Sequence, residues 1–283
     1  AGVQVENIVI SPLALTRSIL NEGEKEFGAT VIDLGGGQTT VAVMRGQELQ
    51  YTNIYQEGGD YITKDISKVL TTSQSIAENL KFNYGIAYPQ QATEKEKFTV
   101  EVIGESNPVE VTERYLSEVI AARLRQIFTR VKQDLERTRA LELPGGVVLV
   151  GGGAILPGIT ELAQEILGVN TKLYIPNQIG IRNPSFAHVI ALVEYVGGLD
   201  DVEKISQAAV NGEADLRQKP IDIPVASKRP SASPIVPKPV AVEPYSEEEV
   251  QADAPAYVNN TEAEEPKSNI GDRLRGFFGS MFE

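Results

Sequence analysis

The sequence predicts an α/β fold with a mixed sheet and flanking helices. Three observations support that class. From residue 1 to residue 196, apolar β-branched runs alternate with segments of helical periodicity. Two of the apolar runs lead into three consecutive glycines, Gly35–Gly37 and Gly151–Gly153. Short apolar runs at 29–33, 39–45 and 47–54 follow one another as a β-meander, which adds an antiparallel part to the sheet.

The elements follow in order. Residues 5–10 read as a strand and 12–21 as a helix. The meander comes next. Gly58, Gly59 and Asp60 precede a helix over 61–70, with Asp60 placed to cap it. A second helix spans 76–84 and ends at Gly85. A strand spans 98–103. Residues 112–139 form a long helix whose stripe is Leu116, Ile120, Leu124, Ile127, Val131 and Leu135. Steps of three and four put those six on one face. Residues 146–150 are a buried strand, 159–167 a helix, 171–175 a last strand and 185–196 a closing helix.

Beyond residue 196 the composition changes. Residues 197–268 hold 9 of the chain's 16 prolines and 14 acidic against 7 basic residues, with no periodic apolar face. Such a segment has too little apolar surface to offset the entropy of ordering, so a disordered acidic linker is expected. Pattern returns at 269–283.

Composition also restricts function. The formal net charge of −13 argues against a nucleic-acid partner, whose footprint is basic. A chain with one His and no Cys is poorly supplied for a zinc site or a His-based triad. The absence of Cys fits a reducing compartment. The apolar runs fall short of the ~20 residues of a membrane span. The chain opens Ala-Gly-Val without Met or a signal pattern, and is expected to start inside a domain.

The glycine turns carry the chemistry. In VIDLGGGQTTVAV, Asp33 ends a strand, where a carboxylate can hold Mg²⁺ through water. Gly35, Gly36 and Gly37 permit positive φ and clear Cβ atoms from a ligand's path. Their N–H groups can form an anion nest, to which Gln38, Thr39 and Thr40 add side-chain donors. The alternative is a hairpin turn, although hairpins manage with one or two glycines. In VVLVGGGAILPGI the strand, glycine loop and helix again bring backbone close to a nucleotide. No Gly-Lys-Ser/Thr follows, so it is not a Walker A loop. Its alternative is a tight strand-to-helix turn.

Together the turns resemble the actin/Hsp70/sugar-kinase superfamily. DLGGGQTT is similar to its second phosphate motif, and LVGGGAILPGI to its adenosine motif, which would include Gly151, Gly152, Gly153 and Ala154. The resemblance implies an actin-like ATPase fold, of which this is the second half, with ATP and Mg as ligands. It also implies that Glu78 and Lys81, one helical turn apart, contact ribose and adenine. A solvated ion pair is the alternative. Within the superfamily, GGDYITKDI at Gly58–Ile66, AENLKFNYGIA, Ala121–Arg123 and NPSFAHVIALVEY resemble the FtsA cell-division family over about residues 2–196. The first phosphate motif of that family is not visible. Membership would make residues 1–196 a partial actin-like domain, with a smaller inserted subdomain around 65–140. The isolated chain would then hold half a cleft and bind ATP weakly or not at all.

The tip reads SNIGDRLRGFFGSMFE. Ile270, Leu274, Phe277, Phe278, Met281 and Phe282 share one helical face, flanked by Arg273 and Arg275. That pattern suits an amphipathic helix in an anionic lipid interface. A partner groove or its own domain are the alternative destinations. The resemblance favours the membrane.

The helix over 112–139 carries seven basic residues, among them Arg123 and Arg130. A solvated face with i,i+4 ion pairs is one account. The resemblance supplies another: the acidic C-terminal tail of the tubulin-like protein FtsZ docks there, on Arg123 first and Arg130 second. It implies a self-associating membrane anchor at the cytoplasmic face of the division site, tethering FtsZ and helping to recruit later division proteins. A kinase or chaperone ATPase of the superfamily is the rival.

Overall fold

The computed structural model describes residues 8–200, with 202, 204 and 206 beyond them. Residues 1–7, and with them 5–7 of the first expected strand, lie outside the described residues. So do nearly all of the linker and the whole tip, including Ile270, Arg273, Leu274, Arg275, Phe277, Phe278, Met281 and Phe282.

Seven strands and seven α-helices are described. They are α1 (Ser11–Ile19), α2 (Glu22–Phe27), β1 (Ala29–Leu34), β2 (Thr39–Arg45), β3 (Glu48–Tyr55), α3 (Gly59–Leu70), α4 (Gln74–Tyr84), β4 (Lys97–Val100), β5 (Val109–Thr112), α5 (Glu113–Arg137), β6 (Val147–Val150), α6 (Ile159–Leu167), β7 (Thr171–Leu173) and α7 (Ala187–Gly197). The main sheet runs β3-β2-β1-β6-β7, and β4 pairs with β5 in a separate ribbon. β1 and β2 are antiparallel, as are β2 and β3. β6 lies parallel to both β1 and β7, so the sheet is mixed, as expected.

The central strands are apolar because both faces of the sheet are covered. Along β1, Ile32 and Leu34 enter a core shared with α3, α4, α5 and α6. Ala29 and Val31, earlier on the strand, enter the opposite core with α1 and α7. β6 divides likewise: Val147 and Leu149 to the first core, Val148 and Val150 to the second. β3 lies at the sheet edge and alternates exposed with half-buried residues, which blunts that edge.

The observed elements differ from the expected ones at six points. Residues 8–10 form no strand; Ile8 and Ile10 are exposed, and Ile10 caps α1. α2 was not expected; its signal is the capping box formed by Asn21 and Glu24. β5 was not expected either, and β4 is shorter than 98–103. The cap of α3 is Gly58, with Asp60 already in the first turn. The helix over 112–139 is shorter at both ends. Thr112 caps it by accepting from the Tyr115 N–H, and Arg139 leaves it with φ 56°.

All six stripe residues of α5 are buried, and Phe128 beside them is fully enclosed. Phe128→Ala should therefore cost about 3–5 kcal/mol. Phe82→Ala on the exposed face of α4 should change stability by no more than about 0.5 kcal/mol. Urea denaturation of the two variants measures the contrast.

Candidate nucleotide site

The two glycine turns meet. Parallel pairing aligns Asp33 with Val150, so β1 and β6 end at the same level. Each strand then enters its glycines. Gly151 has φ 92°, and a Cβ there would stand 2.3 Å from Asp33 Oδ1 and 2.6 Å from the Leu34 carbonyl oxygen. A Cβ on Gly153 would stand 3.0 Å from the same Leu34 oxygen. Only glycine permits this approach and this φ. Gly152 lies beside Ser185, and Ala154 is fully buried, its N–H donating to the Gly151 carbonyl. Gly151–Ala154 thus pack against Asp33 and Leu34 at the carboxyl ends of two parallel strands, where open α/β sheets bind ligands.

The first turn is held from below by α3. The N–H groups of Gly59 and Asp60 donate to the carbonyls of Gly35 and Gly36, each at 2.9 Å. Gly58 packs so closely that a Cβ would lie 2.5 Å from both carbonyl oxygens. The Gly35 N–H donates to the Gln38 carbonyl, and Thr39 Oγ1 donates to the Glu57 carbonyl at 2.7 Å. The Gln38 side-chain amide reaches Thr40 Oγ1 at 3.4 Å. The expectation of positive φ is corrected: none of Gly35, Gly36 or Gly37 adopts it. Their smallness matters instead. A Cβ on Gly35 or Gly36 would meet Gln38 or Asp60, whereas Gly37 has no neighbour within 4 Å of that position and faces open space.

Asp33 is 5% exposed, and its Oδ1 is buried without a hydrogen-bond partner among the described residues. Its Oδ2 lies 3.3 Å from His188 Nδ1. Burial pushes the Asp33 carboxyl above its usual range, against a smaller opposing pull from His188. An orphaned, buried carboxylate oxygen beside a glycine cradle suits a hydrated divalent cation, which needs one or two carboxylates and takes its other ligands from water and phosphate. No group of three or more His, Asp and Glu side chains that could hold a metal ion gathers among the described residues, here or elsewhere, so Asp33 would have to act with water and phosphate. His188 Nε2 contacts Ser11 Oγ at the start of α1. Ser11, His188 and Asp33 thus stand in one chain of contacts. The available signal was the chain's single His opening the last helix.

Glu78 and Lys81 lie where α4 meets the start of α3. Lys81 is 8% exposed and donates to the Gly59 carbonyl, to Thr63 Oγ1 and to Glu78 Oε2. Thr63 also donates to Glu78. Burial raises the Glu78 carboxyl, but the hydrogen bonds from Lys81 and Thr63 and the Lys81 charge outweigh it and hold it low. Lys81 therefore fixes the α3 terminus that braces the first turn, while Glu78 remains partly exposed at the rim.

The arginines of α5 are paired. Arg123 grips Asp65 of α3 through Nε at 2.6 Å and Nη2 at 2.9 Å. Arg130 contacts Glu57, and Arg125 pairs with Glu165 of α6. Arg114 pairs with Glu118, and Lys132 with Glu136, at i,i+4. The basic face is thus largely neutralised within the fold.

Two measurements test this geometry. The Asp33 carboxyl, held high by burial, binds its proton more tightly folded than unfolded. The stabilisation this gives is complete below the unfolded value of about 3.9 and is lost as pH rises through the folded value. Asp33→Asn should then stabilise the chain near neutral pH by on the order of 1 kcal/mol, with no gain in acid. Denaturant midpoints across pH check the sign. Gly58→Ala should disrupt the loop, whereas Gly37→Ala should leave stability within about 0.5 kcal/mol of the parent. Amide exchange at Gly35–Thr40 separates the two.

Comparison with known proteins fits this geometry. Residues 30–191 match the family description "Cell division protein FtsA", and residues 202–283 match "Cell division protein FtsA, C-terminal". The chain is 57% identical over 288 residues to the cell division protein FtsA of Streptococcus pneumoniae serotype 2, covering 100% of this chain and 62% of the relative. It is 46% identical over 283 residues to that of Enterococcus faecalis, covering 100% and 60%. It thus spans about three fifths of the length of these relatives. Among solved structures, it superposes on MreB5 of Spiroplasma citri bound to ADP with a TM-score of 0.56 at 17% identity, covering 72% of this chain and 61% of the other. The PilM-PilN type IV pilus biogenesis complex gives 0.51 at 18% identity, covering 67% and 52%. At such identities the likeness concerns fold. The chain belongs to the FtsA family of cell-division proteins, and its fold is actin-like.

Proposed function

We propose that this chain supplies one wall of an ATP–Mg²⁺ cleft in a membrane-associated division protein. The observation that carries the proposal is the meeting of the two glycine turns at Asp33, whose Oδ1 is buried without a partner. Gly35–Thr40 would take phosphate oxygens on backbone and side-chain donors. Asp33 would hold Mg²⁺ through water, and the ion would supply charge neutralisation at the phosphates. Gly151–Ala154 would lie along the adenosine, with Glu78 at the rim toward ribose. Lys81 is reassigned: its three hydrogen bonds make it a support for the loop's brace. The solved MreB5 structures, bound to ADP and to AMPPNP, support a nucleotide in a cleft of this fold.

Nucleotide would act as a conformational ligand, favouring a self-associating state by differential affinity. The MamK double helical filament, similar in fold with a TM-score of 0.50, supports self-association. The tip, Ile270–Phe282, would lie in the inner face of an anionic membrane at the division site. No helix among the described residues is long and apolar enough to cross a membrane, and an interfacial anchor needs none. The basic side of α5 would receive the acidic tail of FtsZ, with Arg130 the more accessible arginine. A single short anchor binds reversibly, so self-association would strengthen attachment by avidity.

Co-sedimentation with vesicles tests the anchor. The chain should pellet with anionic vesicles, and removal of residues 269–283 should leave only background binding. Equal pelleting with and without those residues would refute it.

A further inference from the structure

Glu57 connects two sites that the sequence treats separately. It stands between the end of β3 and the start of α3, next to Gly58. Its carbonyl accepts the Thr39 hydroxyl of the candidate phosphate loop at 2.7 Å. Its carboxylate points to α5, where Oε1 contacts Arg130 and Oε2 lies 4.0 Å from Arg123 Nη1. Its side chain is 15% exposed, and Oε2 has no hydrogen-bond partner among the described residues.

The two arginines differ in how firmly they are held. Arg123 is 14% exposed, clamps Asp65 with two parallel hydrogen bonds, and lies 5.5 Å from the centre of the Tyr61 ring. That is a bidentate, stacked guanidinium, the most firmly held kind. Arg130 is 51% exposed and meets Glu57 through a single guanidinium nitrogen. Most of its five N–H donors remain open to an incoming carboxylate. Closed, the four groups balance: Glu57 and Asp65 against Arg123 and Arg130. With Arg130 withdrawn, Glu57 becomes an undercompensated acid in a largely buried setting, an arrangement that forces movement.

We propose that Arg130–Glu57 is an exchangeable latch that couples an acidic peptide on α5 to the phosphate loop. The peptide's carboxylates take Arg130, Glu57 shifts, and the Glu57–Thr39 strut beneath the loop loosens. Freed Glu57 also places uncompensated negative charge beside the loop, which disfavours phosphate. Peptide and nucleotide therefore oppose each other, and linkage makes the opposition reciprocal. Arg123 stays on Asp65 throughout. The inference rests on the proposed acidic partner and names the residue pair through which that partner would regulate the loop.

The test uses the whole chain, labelled for NMR, and a synthetic peptide of alternating Asp and Leu, with a Lys–Leu peptide as control. The acidic peptide should bind and should shift the amides of Gly36 and Thr39. Glu57→Gln removes the competitor for Arg130, so it should bind the peptide roughly fivefold more tightly while the loop amides stay still. Arg130→Glu should abolish binding. No binding by the parent chain would remove the acidic-partner reading and the latch with it. Binding that leaves the Gly36 and Thr39 amides unmoved would overturn the latch alone, whatever the variants do.

Discussion

The parallel pairing of β1 with β6 is the constraint on which the rest of the structure depends. It brings Asp33 level with Val150 and delivers both glycine turns to one place. A side chain at residue 151 would collide with Asp33 and Leu34, so the pairing and Gly151 require each other. A parallel neighbour cannot be reached by a tight turn. The chain must leave β1 and return, and it does so through β2, β3, α3, α4 and α5. The separation of a little over a hundred residues between the two glycine triplets is the length of that excursion. The excursion also supplies the parts that hold the first turn in place.

Those parts work by backbone contact. Two N–H groups at the start of α3 hold the carbonyls of Gly35 and Gly36, Lys81 holds Gly59, and Glu57 holds Thr39. Two of these supports are themselves fixed by charge: Lys81 by Glu78, and Glu57 by Arg130 of α5. The loop is thereby preorganised while Gly37 stays open. Asp33 stands apart from this pattern. Its orphaned oxygen is a local cost in stability, and such costs cluster at functional sites.

Much of the fold was legible because its elements are strongly periodic. The α5 stripe, the strands around each glycine triplet and α6 follow from apolar spacing alone, since burial on known faces dictates them. β5 was missed because VEVT is a four-residue edge pairing with no core on one side, and α2 because a six-residue helix depends on its cap more than on periodicity. The site was legible as motifs but not as geometry. That Asp33 needs Gly151, and that Lys81 turns inward to Gly59, are long-range facts no local spacing contains. The arginines of α5 read as a basic surface because their partners, Glu57, Asp65 and Glu165, lie on other elements.

The central claim is that the two glycine turns form one ligand surface. Amide hydrogen exchange on the full-length protein, with and without Mg²⁺ and ATP, tests it most directly. Exchange should slow together at residues 35–40 and 151–154, while the exposed outer face of α4 stays unchanged. Slowing at only one of the two turns, or at neither while nucleotide is bound, would contradict the account.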